Sequence, residues 1–288
     1  MPELPEVEIT ARRIDEAVRG ATIESARTPG LNALKTFDPP LHAIEGRAIA
    51  GVGRRGKHLT IAVDGGLVLL IHLMNAGRLQ LFDKRAGMRD RTSRLLLRVP
   101  SADAPDRELR LREFGTRQSA WVKLLRADDL ETDEAIATLG PEAWPEPPLD
   151  FAELLGESGA RPLHGALRDQ KVIAGIGRSW VDEILWTAEL SPFKRADDLE
   201  DDEAVRLREA TVRVLGDALA VYEETVRLPI PDKMPMPLKV HRRNGEPCPR
   251  CGATIEAVHY EDYVMCYCPQ EQTGGRVLKD RRLSRLLK

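Results

Sequence analysis

The sequence predicts an α+β protein: a helix at the start, a strand-rich region, then a helical region that ends in a cysteine hairpin. Three observations predict it. Apolar residues recur at helical spacing over ELPEVEITARRIDEAVRG, short alternating segments fill residues 21–126, and the four cysteines all fall between 248 and 268.

The elements follow in order. In the first helix Leu4, Val7, Ile14, Ala17 and Val18 share one face, Pro5 and Glu6 suit a first turn, and Gly20 marks the end. AIAGVGRRGKHLTIAV, GLVLLIHLM, GRLQLF, SRLLLRV, ELRLREF and SAWVKLL then read as strands joined by hairpin-length turns, which suggests a β-sandwich or barrel. Residues 128–149 carry four prolines between Pro141 and Pro148 and read as a linker unable to pack. From 150 the pattern is helical: FAELLGES, RPLHGALRDQKVI, SWVDEILWTAEL and DDEAVRLREATVRVLGDALAVYEETVR. The expected organisation is 1–127, a linker at 128–149, a helical domain over 150–238, and the cysteine segment over 239–288.

Composition narrows the function. At 288 residues the chain has room for two cores. Its longest apolar run, GLVLLIHLM, is strand-length and holds a histidine, so no membrane span is expected. The chain start lacks the basic-then-apolar order of a signal peptide. Clustered cysteines point to a metal site and a cytoplasmic chain rather than a disulfide framework. The net charge of −3 hides segregation. Residues 128–157 hold ten acidic residues and no Lys or Arg, whereas 276–288 hold six basic residues against Asp280, with further basic clusters at GRRGKH and HRR. A local basic groove for nucleic acid is compatible with that balance.

Several motifs carry chemistry. Removal of Met1 leaves Pro2 as the N-terminus, and an α-amino group, with a pKa of about 8, is far more often unprotonated than lysine. A secondary amine attacks an aldehyde-like carbon to give an iminium, and Glu3 and Glu6 stand where carboxylates shuttle protons. Gly175-Ile176-Gly177 between helical segments lets backbone amides approach a phosphate. An aromatic ring such as Phe114 beside Arg112 suits a wedge and filler where a base leaves its stack. Cys248-x2-Cys251-x16-Cys268 has zinc-ribbon spacing, but Glu271 stands at the fourth position. Either Glu271 or Cys266, on the same strand face as Cys268, completes the set.

PELPEVE, RRGKHL (54–59), IHLMNAGRL (71–79), LREFG (111–115), LRDQKVIAGIGRSWVDEILW (167–186) and the cysteine segment, in this order, resemble the formamidopyrimidine-DNA glycosylase and endonuclease VIII family. The resemblance implies an N-terminal helix on a β-sandwich, then a helix–two-turn–helix domain with a zinc hairpin. It implies a base-excision repair enzyme, a DNA glycosylase with abasic-site lyase activity that flips oxidised or ring-opened bases out of duplex DNA. Pro2 would be the nucleophile and Glu3 the proton donor, with Lys57 contacting phosphate and assisting catalysis. His72 and Arg178 would contact phosphate; Arg112, Phe114 and Asn75 would occupy the vacated space. One structural zinc per chain is implied, with damaged double-stranded DNA as partner. A monomer, cytoplasmic and nucleoid-associated when bound to DNA, is the expected state.

The departures fall on DNA contacts. Asn75 replaces the family's void-filling methionine, His164 a lysine, Arg178 an asparagine and Tyr263 an arginine, with Arg276, Arg281 and Arg282 available to take over from the last. YEETVRLPIPDKMPMPLKVH (222–241) has no glycine where relatives that excise 8-oxoguanine carry a glycine-rich cap. A preference for formamidopyrimidines, oxidised pyrimidines or abasic sites is expected. The alternative reading is a catalytically weakened lesion- or structure-specific DNA-binding protein on the same fold.

Overall fold

The structure is a computed structural model that describes residues 1–29, 32–87, 90–114 and 118–278. Gly115 of the LREFG motif, Arg281 and Arg282 lie outside the described residues. The chain divides into two compact units, Met1–Thr138 with Leu219–Pro235, and Leu139–Ala218 with Met236–Lys288.

The first unit begins with α1 (Leu4–Val18) and holds β1 (Ser25–Arg27), β2 (Ile49–Arg55), β3 (His58–Val63), β4 (Leu67–His72), β5 (Gly77–Phe82), β6 (Ser93–Arg98), β7 (Glu108–Glu113), β8 (Trp121–Arg126) and the short α2 (Glu134–Ala137). Two antiparallel four-stranded sheets form, in orders β2-β3-β4-β8 and β1-β6-β7-β5. Side-chain alternation drives this. Leu59, Ile61 and Val63 of β3, Leu69 and Ile71 of β4, and Val122 and Leu124 of β8 bury one face. Leu79, Leu95, Leu97, Leu109 and Leu111 of the other sheet join the same core, as do Val7, Ile14 and Val18 of α1. Every strand expected from alternation is present; β1, three residues long, carried too little pattern to be read.

The second unit holds α3 (Phe151–Gly156), α4 (Leu163–Ala166), α5 (Arg178–Thr187) and the first part of α6 (Asp201–Thr225), then the hairpin β9 (Glu256–His259) and β10 (Val264–Tyr267), and α7 (Pro269–Thr273). RPLHGALRDQKVI is helical only across α4, because Asp169 then accepts the N–H groups of Val172 and Ile173 and turns the chain. The 128–149 stretch, expected not to pack, does pack. Ile136 and Ala143 are buried, Gly140 N and Ala143 N donate to Gln170 O and Ala174 O, and the Arg208 guanidinium donates to the carbonyls of Pro147 and Pro148. Its backbone finds partners that composition does not disclose. Among the described residues no helix is long and apolar enough to cross a membrane.

Candidate functional site

The residues directly behind Met1 are buried. Pro2 is enclosed, and Glu3 and Glu6 are only 2% and 3% exposed, on an N-cap and first turn whose apolar face lies in the core. Glu3 and Glu6 form a reciprocal capping box, and Glu6 Oε2 accepts Glu3 N–H at 2.8 Å. The other carboxylate oxygen, Glu6 Oε1, accepts the Tyr222 hydroxyl at 2.6 Å. Burial, then the Glu6 and Glu3 carboxylates, push the Tyr222 phenol far above its ordinary value, so it remains an O–H donor.

The segment after Tyr222 is fastened to the β5 strand. Gln80 Nε2 donates to Ile230 O and to Asp232 Oδ1, and Arg78 Nε donates to Asp232 O at 2.8 Å. The opposite end of the same amide, Gln80 Oε1, accepts from Arg112 Nη1 at 3.1 Å, and Thr92 Oγ1 accepts from Arg112 Nε at 3.2 Å. The Arg112 guanidinium lies 4.7 Å from the Phe114 ring centre, a cation–π pair. Arg112 and Phe114, half-buried, therefore act as one platform, with Arg112 tethered on its far side.

A second cluster arises from strand register. His58, His72 and Trp121 are cross-strand neighbours on β3, β4 and β8, and their rings meet: His58 to His72 at 4.6 Å edge-on, His72 to Trp121 at 5.8 Å stacked. Lys57, 6% exposed, follows Gly56 (φ +51°) in the two-residue β2–β3 turn, where positive φ suits glycine. Burial pushes His58 down to about 4 and His72 to about 3, with Lys57 adding to both shifts. Met74 N–H donates to His72 Nδ1 at 3.0 Å, so the neutral ring carries its hydrogen on Nε2, a donor suited to a phosphate oxygen. Asn75 is exposed at the tip of the following loop. Met74 (φ +51°) and the bond from Gly77 N to Leu73 O shape that loop, and a Cβ on Gly77 would lie 2.3 Å from Leu73 O.

In the second unit Arg178 is the first residue of α5, behind Gly177. Its guanidinium donates to Asp262 O at 2.8 Å and pairs with the Asp262 carboxylate. Tyr263 is surrounded by cations and rings: Arg168 at 4.3 Å, Arg178 at 5.1 Å, Tyr260 stacked at 4.3 Å and His164 stacked at 5.8 Å. Three of the four departures noted in the sequence thus share one cluster.

The α5 helix also anchors the cysteine segment. Glu183, its pKa raised by burial, accepts the N–H groups of Lys239, Val240 and His241, and Asp182 Oδ2 accepts Cys266 N–H and faces His241 Nδ1 at 2.6 Å. His164 Nε2 lies 3.2 Å from Asp182 Oδ1, within ion-pair range though not in hydrogen-bond alignment.

The sulfurs of Cys248, Cys251 and Cys268 lie within 4.8 Å of one another. Burial opposes ionisation of Cys248, yet the N–H groups of Cys251 and Arg250 hold its thiol below the ordinary value. Burial and the neighbouring thiols push Cys268 up to about 12. Three converging thiols with donors aimed at one sulfur fit a tetrahedral thiolate metal such as zinc. Cys266, named above as a candidate ligand, lies outside this group: its sulfur accepts Arg242 N–H at 3.2 Å, and burial beside Asp182 pushes its thiol up to about 11. Glu271 also lies outside it, its Oε2 2.8 Å from Arg250 Nη1.

A helix-capped β-sandwich, a glycine turn between helices and a three-thiol hairpin define the helix–two-turn–helix class of DNA glycosylases. The chain belongs to the formamidopyrimidine-DNA glycosylase family: the model of that family's N-terminal domain matches residues 1–118, and the model of its H2TH domain matches residues 139–229. A formamidopyrimidine-DNA glycosylase of Thermus thermophilus is 34% identical over 287 residues, covering 96% of this chain and 100% of that protein. An uncharacterized formamidopyrimidine-DNA glycosylase-like protein of Mycobacterium tuberculosis is 43% identical over 150 residues, 52% of this chain and 94% of its own length. A Lactococcus lactis Fpg complex with abasic-site DNA superposes with a TM-score of 0.83 at 26% identity, covering 94% of this chain and 99% of that one. Family membership gives the chain a base-excision repair role at the level of DNA glycosylase and abasic-site lyase.

Two outcomes follow from this geometry. The histidines bind protons less readily folded than unfolded, so they favour the folded state above a pH of about 6.5 and that contribution is lost as pH falls toward their folded values. Tm falls as pH is lowered from about 6.5 to about 4, and His72→Asn, which keeps an acceptor for Met74 N–H, flattens the slope; an unchanged slope would contradict neutral, buried rings. For the metal, Cys248→Ser lowers bound zinc well below about one per chain, measured on the purified protein, whereas Cys266→Ser leaves it unchanged. Loss of zinc in Cys266→Ser would contradict the three-thiol assignment.

Proposed function

We propose that the chain excises oxidised or ring-opened bases from damaged double-stranded DNA and then cleaves the abasic strand, with Pro2 as nucleophile. The observation that carries this reading is a pair of buried carboxylates, Glu3 and Glu6, fixed on a helix start directly behind a buried Pro2. Buried carboxylates are costly to keep and have a use where protons must move. Removal of Met1 frees the secondary amine. Its lone pair attacks C1′ while the C1′–base bond breaks, and Glu3 delivers a proton to the ring oxygen or assists base departure. Ring opening gives the iminium, an electron sink. Loss of a C2′ proton then expels the 3′ phosphate, and a second elimination expels the 5′ phosphate.

Lys57 and the Nε2–H of His72 hold phosphate oxygens near the reacting sugar, and Arg178 holds phosphate from the second unit. Arg112, stacked on Phe114, fills the vacated space with Asn75. Neutral His72 leaves this grip insensitive to pH near neutrality. Zinc on Cys248, Cys251 and Cys268 would fix the hairpin fold and take no part in the chemistry. The glycine-free segment after Tyr222 is held by Gln80, Arg78 and, at Val226 O, by Arg13. The lack of a glycine-rich cap in that segment favours formamidopyrimidines, oxidised pyrimidines and abasic sites over 8-oxoguanine. The chain works in the cytoplasm, on the nucleoid, as a monomer.

The test is base release and strand cleavage on duplexes carrying one formamidopyrimidine, one oxidised pyrimidine, 8-oxoguanine or a preformed abasic site. The expected result is excision of the first two in preference to 8-oxoguanine. Glu3→Gln lowers base excision by about a hundredfold or more, the range for a lost general acid, and spares cleavage at the preformed abasic site by comparison. Tight binding without excision by the wild-type chain would overturn the enzyme reading in favour of a binding protein.

A further inference from the structure

We propose that Tyr222 is a positioning residue for the N-terminal site, acting through Glu6; the proposal rests on the reading of Pro2 as nucleophile. Tyr222 is fully buried on α6, 216 residues along the chain from its partner, and gives its hydroxyl to Glu6 Oε1 at 2.6 Å. Glu6 Oε2 in turn accepts Glu3 N–H at 2.8 Å, the peptide N–H between Pro2 and the Glu3 side chain. One carboxylate thus joins a rigid core phenol to the backbone that carries both reactive groups.

The chemistry of the relay is directional. The Tyr222 phenol, shifted far upward by burial and by Glu6, has no means of becoming an acceptor-only phenolate, so it always donates. A donor on Oε1 fixes the plane of the carboxylate, and the plane fixes where Oε2 meets Glu3 N. Arg78 lies in electrostatic range of Glu6 and is itself anchored on Asp232 O, so the ionised form of Glu6 faces a cation as well as the phenol. A terminal residue is ordinarily the most mobile part of a chain. An amine that must reach C1′ within a few tenths of an ångström needs such a tether. The capping box orients Glu6 from its own helix; Tyr222 adds a hydrogen bond from outside α1 and ties the site to the start of the segment that follows α6.

The experiment is single-turnover borohydride trapping on a duplex with one abasic site, using Met1-free wild type, Tyr222→Phe, Glu6→Gln and the double variant. Duplex affinity and thermal unfolding are measured alongside. Tyr222→Phe keeps the ring and Glu6→Gln keeps the capping box, so both fold. Tyr222→Phe slows trapping by about ten- to a hundredfold, the range of a hydrogen bond to a charged group, with duplex affinity unchanged within about twofold. The double variant is no slower than the slower single variant, because the two residues act in series. Equal trapping by wild type and Tyr222→Phe overturns the role of Tyr222 alone. So do additive losses in the double variant, or a loss matched by weaker duplex binding. No adduct from the wild type overturns the Pro2 reading on which the proposal rests.

Discussion

Pro2, Glu3 and Glu6 are buried at the start of the first helix, and the hydrogen-bonded carboxylate of Glu6 satisfies that buried turn. A helix start leaves N–H groups unsatisfied, and a buried start has no water to satisfy them. Here the Glu3 and Glu6 side chains serve the turn reciprocally, and Tyr222 takes the remaining face of Glu6. Leu4, Val7, Ile14 and Val18 then lock the helix in place, the last three in the core that both sheets share. Pro2, directly ahead of this helix, is held against the same packed core.

The rest of the first unit places cations and rings at sheet ends. Register puts His58, His72 and Trp121 side by side, and a glycine turn sets Lys57 next to them. With the histidines neutral, the charges beside that cluster are Lys57 and Lys123, the latter 5.5 Å from the Trp121 ring and paired with Asp133, while His72 offers a directed N–H. On the other sheet Gln80 uses both ends of one amide, gripping Ile230 and Asp232 with its nitrogen and Arg112 with its oxygen. In the second unit the Asp182–Glu183 pair does equivalent work, fixing residues 239–241 and Cys266 so that three cysteines converge without the fourth.

Alternation made the sandwich legible, since each leucine-rich segment buries one side of a strand whatever its partner. The N-terminal helix was legible from spacing and its acidic first turn, and the cysteine cluster from confinement. What stayed hidden depends on contacts between distant residues. Nothing in the helical pattern of 201–225 sets Tyr222 apart, and only folding brings it to Glu6. Cys266 stood beside Glu271 as a candidate fourth ligand because it shares a strand face with Cys268, and sequence does not show that its sulfur is taken by Arg242 N–H. The 128–149 stretch read as a linker because prolines and acids obscure backbone pairing with Gln170 and Ala174. Tyr263 looked like a lost phosphate contact; its stacking with Arg168, Arg178 and His164 places two arginines around it instead.

The central claim is that the nitrogen of Pro2 becomes bonded to the sugar. The measurement that tests it most directly is peptide mapping by mass spectrometry of the reduced protein–DNA adduct. The predicted result is a deoxyribose remnant on the N-terminal peptide, on a proline freed of Met1. A remnant mapped to Lys57 or any other lysine would contradict it.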